Sequence, residues 1–207
     1  MRAGALSYMM GRMDPATLTK ITLAAMLHLL PPEAAVKRTL WPKEARETVA
    51  ERTDRYRAIA TAIGDVTSSQ PLIVKGKHAH VQTIAVMLAV TYHESAWARH
   101  VDLGIGPYSR GDRGNSWCLG QHNIGRGKTK EGWTGPELVA DRRKCMTATL
   151  RVLRSSFSSC RRNPLELRLA AYASGSCKRG HRASRRRMHT ALQLLPVLTR
   201  AQNRVVR

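Results

Sequence analysis

Glu94 has a setting in which a carboxyl group can act as an acid. It stands near the end of the most apolar segment of the chain, VQTIAVMLAVTYHESAW over residues 81–97. If this segment is a buried helix, the carboxyl group is partly removed from water, which favours its protonated form. We therefore predict that Glu94 is a general acid that protonates a leaving group. The structural alternative is a helix-end glutamate paired with Arg99 or His93.

A second carboxylate, Asp112, lies eighteen residues further along, in the stretch GDRGNSWCLGQ. Gly111 and Gly114 flank it and would let the backbone approach a ligand closely. Cleavage of a glycosidic bond commonly uses two carboxyl groups, so Asp112 is the candidate partner of Glu94. The structural alternative is a turn residue, because Asp beside Gly is common in turns.

The elements that must position these residues can be read from the prolines, glycines and apolar periodicity. Asp14 and Pro15 predict a helix start, and Pro31 predicts its end. The glycine-rich segment 101–135 predicts a long loop region or a small irregular sheet, which in a compact domain is usually functional. We predict helices over 15–30, 42–66, 81–97, 135–157, 164–174 and 181–195, a linker over 67–71, and a short strand or loop over 72–80. The fold class is therefore mainly α.

The chain is strongly basic. It has 35 Lys and Arg against 14 Asp and Glu in 207 residues, a formal net charge of +21. Residues 151–207 alone carry fourteen basic residues against one acid, Glu166. Such a charge favours anionic partners, among them nucleic acid, membrane surfaces and acidic glycans. The length suits one domain with a core of its own, and we expect a monomer.

The four cysteines lie in the second half of the chain: Cys118, Cys145, Cys160 and Cys177. An even number at such intervals predicts two disulfides, with three possible pairings, and therefore an oxidising compartment. Free buried thiols in a cytoplasmic protein are the alternative. Cys177 and His181 have a ligand-like spacing, but no CxxC pair accompanies them, so we predict neither a metal nor another cofactor.

The N-terminal sequence does not predict a conventional route of export. The apolar run KITLAAMLHLL at 20–30 is interrupted by His28 and lacks a good cleavage site, and it is too short to span a membrane. Together with the cysteines, this suggests an extracytoplasmic protein of the periplasm or cell wall that is exported by another route, or a phage lytic protein.

Four motifs give the chain a resemblance to a known family. HESAW, GDRGNSWCLGQHNIG, EGWTGPELV and LAAYASG follow one another over roughly residues 80–180. In this order they resemble the motifs of goose-type lysozymes and soluble lytic transglycosylases, members of the lysozyme-like superfamily. The resemblance implies a lysozyme-like helical domain that cleaves peptidoglycan at the β-1,4 bond between N-acetylmuramic acid and N-acetylglucosamine.

The resemblance also implies roles for individual residues. Glu94 matches the catalytic acid, and Asp112 matches an aspartate that positions the attacking water. Three residues match groups that fix the site or contact the sugar: Ser95, Gln121 and Tyr172. Trp117, close to Gln121 in sequence, is the best candidate for stacking on a sugar ring, whereas Trp97 and Trp133 are equally well explained as core residues.

The chain departs from the family pattern at three places. Asn123 stands where the goose-type pattern has a second aspartate, and we expect it to bind substrate there. Ala173 replaces the asparagine of Ala-Tyr-Asn. The interval between Glu94 and Asp112 is also longer, and within it Asp102 is either an extra acid or, as we favour, a loop residue. Loss of the second aspartate moves the site towards the transglycosylases, which form a 1,6-anhydro sugar without a positioned water.

We therefore expect residues 1–66 to form an N-terminal helical extension, 67–200 the lysozyme-like catalytic domain and 201–207 a basic tail. Peptidoglycan strands are the expected partner, with the C-terminal arginines attracting anionic polymers non-specifically. Hydrolysis is favoured over transglycosylation. The alternative from another class is a non-catalytic protein that binds the cell wall or nucleic acid, although no helix-turn-helix, zinc-finger or RNP motif supports nucleic-acid binding.

Overall fold

The computed structural model describes residues 13–37 and 42–205, and these residues are mainly helical, as predicted. The predictions for residues 1–12, 38–41, 206 and 207 lie outside the described residues. The helices are α1 (Pro15–Leu29), α2 (Pro32–Val36), α3 (Val49–Ser69), α4 (Ala79–Ser95), α5 (Arg99–Asp102), α6 (Gly135–Ala140), α7 (Arg142–Ser159), α8 (Ala170–Ser174) and α9 (His181–Val205). Short 3-10 turns lie at Lys43–Ala45, Pro107–Ser109, Asp112–Gly114 and Leu165–Leu167.

The first helix begins and ends where its sequence predicts. The Asp14 carboxylate accepts a hydrogen bond from the Thr17 N–H, and Pro15 occupies the first turn. The helix packs closely on α3 at Gly64, where a Cβ would lie 2.7 Å from Thr19 Oγ1. A glycine is therefore required at this crossing.

Helix α3 starts later and ends later than the predicted helix 42–66. Thr48 and Glu51 form a capping box in which each side chain accepts from the other residue's N–H, and this fixes the start at Val49. The helix then continues to Ser69 through most of the predicted linker, because Val66 and Thr67 are buried against the core. The segment between α3 and α4 contains no strand.

The glycine-rich segment forms a loop region with one minimal antiparallel hairpin. Strand β1 (Ser116–Trp117) pairs with β2 (His122–Asn123), with Ser116 opposite Asn123. A disulfide between Cys118 and Cys145 ties this hairpin to α7. The prediction of a small irregular or β region is confirmed.

The predicted helix 135–157 is two helices that change direction at Asp141. This residue ends α6, and its carboxylate accepts from the backbone N–H groups of Arg143 and Lys144 at the start of α7. The second disulfide joins Cys160, just after α7, to Cys177, beyond α8. Both predicted disulfides are thus present, and they are compatible with an extracytoplasmic location.

The last helix runs ten residues beyond its predicted end at 195. Pro196 lies inside α9 and removes one backbone donor, yet Leu198 is fully buried and Ala201 and Val205 pack against the core. This packing continues the helix to Val205. Residues 201–205 of the predicted tail are therefore its last turn.

One hydrophobic core joins α1, α3, α4, α7 and α9. The proposed boundary after residue 66 falls within α3, and the helices on both sides of it contribute to this core. A buried ionic network also connects them: Arg55 pairs with Glu47 at 2.8 Å and with Asp102 at 3.3 Å, and Asp102 pairs with Arg142 at 2.8 Å. No helix in the described part of the chain is long and apolar enough to cross a membrane.

Candidate active site

Two adjoining clefts meet at Glu94. The larger has a volume of about 830 Å³ and the smaller about 550 Å³, and both are lined by Glu94, Gly111 and Gln121. Asp112 also lines the larger cleft, and Ser95 lines the smaller one. The larger cleft further includes Asn123 and Tyr172. Residues that are far apart in sequence are therefore brought together around one groove.

Glu94 is fixed by the way in which α4 ends. The Ser95 hydroxyl donates to the Thr91 carbonyl at 2.8 Å and accepts from the Trp97 N–H at 3.2 Å. The chain then turns through left-handed backbone at Ala96 and Trp97, whose indole is fully buried and donates to Thr91 Oγ1. Trp97 is thus a core residue, and the hydroxyl of Ser95 secures the turn that follows Glu94.

The carboxylate of Glu94 is largely buried, as predicted, and its partner is Arg187 of α9. Arg187 Nη2 lies 2.5 Å from Glu94 Oε1, and the two side chains are only 8% and 19% exposed, respectively. The partners considered from the sequence, Arg99 and His93, do not make this contact. Nε and Nη1 of Arg187 are buried and have no hydrogen-bond partner among the described residues.

Sequence reasoning missed Arg187 because it lies among the C-terminal arginines, from which only a non-specific attraction of anionic polymers is expected. A signal was nevertheless present. Arg187 follows Ser184 by three residues and precedes Ala191 and Leu194 by four and seven, and these positions form the buried face of α9. Arg185 and Arg186 lie off that face and are exposed.

Two neighbours of Glu94 stay uncharged near neutral pH. Burial lowers the pKa of His93 to about 4, with the charges of Arg186 and Arg187 adding to the effect. Burial, followed by the nearby Glu94 carboxylate, raises the pKa of Tyr172 well above its usual value. We therefore expect neither His93 nor Tyr172 to exchange a proton with a substrate near neutral pH.

The Asp112 carboxylate is held at the exposed edge of the larger cleft. Its Oδ2 accepts hydrogen bonds from Ser116 Oγ at 2.6 Å and from Asn123 Nδ2 at 3.1 Å. Asp112 and Arg113 both have left-handed backbone, with φ of 49° and 57°. Such conformations are unfavourable for residues with side chains and concentrate at functional sites. Ser116 was not predicted as part of the site.

Gln121 builds the loop that carries Asp112. Its Oε1 accepts from the Gly111 N–H at 2.7 Å, and its Nε2 donates to the Cys118 carbonyl at 3.0 Å. A Cβ at Gly111 would lie 2.5 Å from Gln121 Oε1, so this contact requires a glycine. Gln121 lines the cleft, but its amide already has protein partners on both atoms.

Tyr172 reaches the cleft from α8. Its hydroxyl donates to the Gly120 carbonyl at 2.5 Å, and its backbone N–H donates to Ser156 Oγ at 3.0 Å. Ala173, which replaces the family's asparagine, lines the same cleft without a polar side chain.

Trp117 is not among the residues that line either cleft. Its indole N–H donates to the Gly125 carbonyl at 2.9 Å, and the guanidinium of Arg110 lies 4.6 Å from its ring centroid. A Cβ on Gly135 would meet its ring at 2.1 Å. Trp117 thus packs the loop region against α6. Trp133 packs against the core, with Lys144 over its ring.

Asp102 is also absent from the cleft lining. Buried between Arg55 and Arg142, it connects the segment after α4 to α3 and α7. Asp102 is the last residue of α5, whereas the interpretation favoured from the sequence placed it in a loop, and its two arginine partners give it a structural role.

Among the described residues, one group of three possible metal ligands lies close together: Cys118, His122 and Cys145. The two cysteines are bonded to each other, and His122 Nε2 is 2.9 Å from Thr149 Oγ1. Cys177 is likewise in a disulfide, and His181 Nε2 lies 3.0 Å from the Cys177 carbonyl. These groups are therefore occupied by protein contacts.

Comparison of the chain with protein-family models, with curated proteins and with solved structures finds no significant match.

Proposed function

We propose that this protein is a lysozyme-like, peptidoglycan-cleaving glycosidase that acts on the β-1,4 bond between N-acetylmuramic acid and N-acetylglucosamine. The main support is that Glu94, Asp112, Gln121, Asn123 and Tyr172, selected from the sequence for that activity, all line one cleft. They come from four separate parts of the fold, so their sequence spacing alone did not require this.

In the proposed reaction, Glu94 donates its proton to the glycosidic oxygen, and the bond from the muramic C1 to that oxygen breaks. The N-acetylglucosamine unit leaves with a free 4-hydroxyl. Positive charge develops on the muramic ring, and Asp112 orients a water molecule towards C1 or stabilises that charge. The water loses a proton as the new C1 hydroxyl forms, and this proton restores the acid.

The shape of the groove suits a polymer. Glu94 lies where the two clefts meet, so a glycan strand occupying both would extend on each side of the bond to be cut. The larger cleft is lined by the basic residues Lys128, Lys130, Arg151 and Arg187 as well as by the two carboxylates. A basic groove suits an anionic wall polymer.

A lytic transglycosylase is the second candidate, and one observation favours it. Asp112 Oδ2 accepts from both Ser116 and Asn123, so this oxygen is already used in holding the loop. In the transglycosylase reaction the muramic 6-hydroxyl attacks C1 and loses its proton, which gives a 1,6-anhydro product without water. The non-catalytic alternatives, wall binding or nucleic-acid binding, are supported by the net charge of +21 alone.

The test is the release of soluble fragments from purified peptidoglycan by the protein, by Glu94→Gln and by Asp54→Asn. Asp54 is a matched control because it is 71% exposed and lies in a surface pair with Arg57. We expect release by the parent and by Asp54→Asn, and none by Glu94→Gln. If none of the three proteins releases fragments, the enzymatic proposal is excluded. If Glu94→Gln releases as much as the parent, the role of Glu94 is excluded.

A further inference from the structure

The guanidinium of Arg187 is incompletely paired. Its side chain is 8% exposed and lines the larger cleft, but only Nη2 has a partner, the Glu94 carboxylate. Nε and Nη1 have none among the described residues. A buried cation with unused donors is poorly stabilised, and a movement of the side chain towards an anion in the cleft would give these donors acceptors.

The observed partner of Arg187 indicates which anion fits. Nη2 already binds a carboxylate, and the planar guanidinium with its five N–H donors is suited to carboxylates in general. The cations Lys128, Lys130 and Arg151 line the same cleft and add to its positive potential, although Arg151 also pairs with Glu131. A carboxylate carried by the ligand would therefore compete with Glu94 for Arg187.

We infer that Arg187 recognises a carboxylate of the saccharide substrate, and that this carboxylate replaces Glu94 as the partner of the guanidinium. The inference rests on the proposed function, in which an N-acetylmuramic acid unit without an attached peptide carries such a group on its lactyl ether. When the exchange occurs, the Glu94 carboxylate loses its cationic partner, takes up a proton from solvent and can present that proton to the glycosidic oxygen. Arg187 thus favours strands with free muramic carboxylates, and glycans in which this group is absent or blocked are poorer substrates.

The test compares two ligands that differ in one charge: the disaccharide of N-acetylglucosamine and N-acetylmuramic acid, and its carboxyl methyl ester. Calorimetric titration gives the Kd of each for the parent, for Arg187→Gln and for Arg185→Gln. Arg185 is the matched control, because it is exposed on the same helix and its replacement changes the net charge equally. This control matters because a protein of this charge attracts any anion.

We expect the parent and Arg185→Gln to bind the acid about tenfold more tightly than the ester, since hydrogen bonds to charged groups are involved. Arg187→Gln should bind the two ligands equally. An undiminished preference in Arg187→Gln, or no preference in the parent, would overturn the inference.

A second measurement does not depend on the folding of Arg187→Gln. The Arg187 Nε–H resonance in the parent, assigned by its loss in Arg187→Lys, should shift when the acid is added and stay unchanged with the ester. A resonance that responds to neither ligand would also overturn the inference.

The two proposals can fail separately. If the protein leaves peptidoglycan intact but binds the acid more tightly than the ester through Arg187, the carboxylate site stands and the proposed activity fails. If the protein cleaves peptidoglycan but its preference for the acid over the ester does not depend on Arg187, the activity stands and this inference fails.

Discussion

The side chain of Gln121 accepts a 2.7 Å hydrogen bond from the backbone N–H of Gly111, the residue that precedes Asp112. This contact joins the two ends of the segment that contains β1. Gln121 Nε2 is also used, because it donates to the Cys118 carbonyl. Gln121 therefore determines where the Asp112 loop lies relative to Glu94, and we assign it a positioning role.

Gln121→Ala should reduce the rate of peptidoglycan cleavage about a hundredfold, because a displacement of about 1 Å in a catalytic group can cost that much. Gly111→Ala should act in the same direction, since its Cβ would meet Gln121 Oε1. The rates are measured as fragment release, with thermal unfolding measured in parallel. Full activity in a folded Gln121→Ala protein would show that the contact does not position the loop.

The buried ionic network should contribute strongly to stability. Asp102→Asn removes one of the two buried anionic partners of Arg55, leaving Glu47, and weakens the pairing of Arg142. Removal of one partner of a buried ion pair typically costs about 3–5 kcal/mol in the free energy of unfolding. Asp54→Asn, in an exposed pair, should change it by about 0–1 kcal/mol. Denaturant unfolding checks both values. A change in the free energy of unfolding as small for Asp102→Asn as for Asp54→Asn would contradict the structural role of Asp102.

His122 should make stability depend on pH. Burial lowers its pKa in the folded protein to about 4, whereas its ordinary value is 6.5. Between these values the unfolded chain takes up a proton that the folded protein does not, so stability is full above pH 6.5 and falls as the pH decreases to about 4. His122 accounts for a loss of about 3 kcal/mol in the free energy of unfolding. Protonation of His93 lowers this free energy in the same direction.

Denaturant unfolding at pH 7 and at pH 4.5 measures this dependence for the parent and for His122→Gln. The glutamine keeps a donor for Thr149 but does not titrate. The free energy of unfolding should therefore fall less between pH 7 and pH 4.5 in His122→Gln than in the parent, by about 2 kcal/mol or more. An identical difference in both proteins would show that His122 is not the group responsible.

Local signals in the sequence predicted the mainly helical class and several element ends, because capping residues and apolar periodicity act over a few positions. The end at Leu29 and the buried helix around Glu94 are examples. Helix α9 exceeded its predicted end because the tertiary packing of Leu198 outweighs the local effect of Pro196. Asp141 divides the predicted helix 135–157 because its side chain caps the start of α7.

The candidate site was predictable where a residue belongs to a motif, and less so where it depends on the fold. Glu94, Asp112 and Tyr172 were selected from the sequence and line the same cleft. Trp117 was selected for its nearness to Gln121 in sequence, yet the loop turns its ring towards α6. Arg187 lies 93 residues from Glu94, and only the packing of α9 on α4 brings them together.

The central claim is that Glu94 drives cleavage of a glycosidic bond, and mass spectrometry of peptidoglycan digested in heavy-oxygen water tests it most directly. We predict that the parent produces reducing muramic ends that carry the heavy oxygen, and that Glu94→Gln produces none. Anhydro ends without the label would keep Glu94 as the acid and make the protein a transglycosylase. Glycan strands left intact by the parent, or cut equally by Glu94→Gln, would contradict the claim.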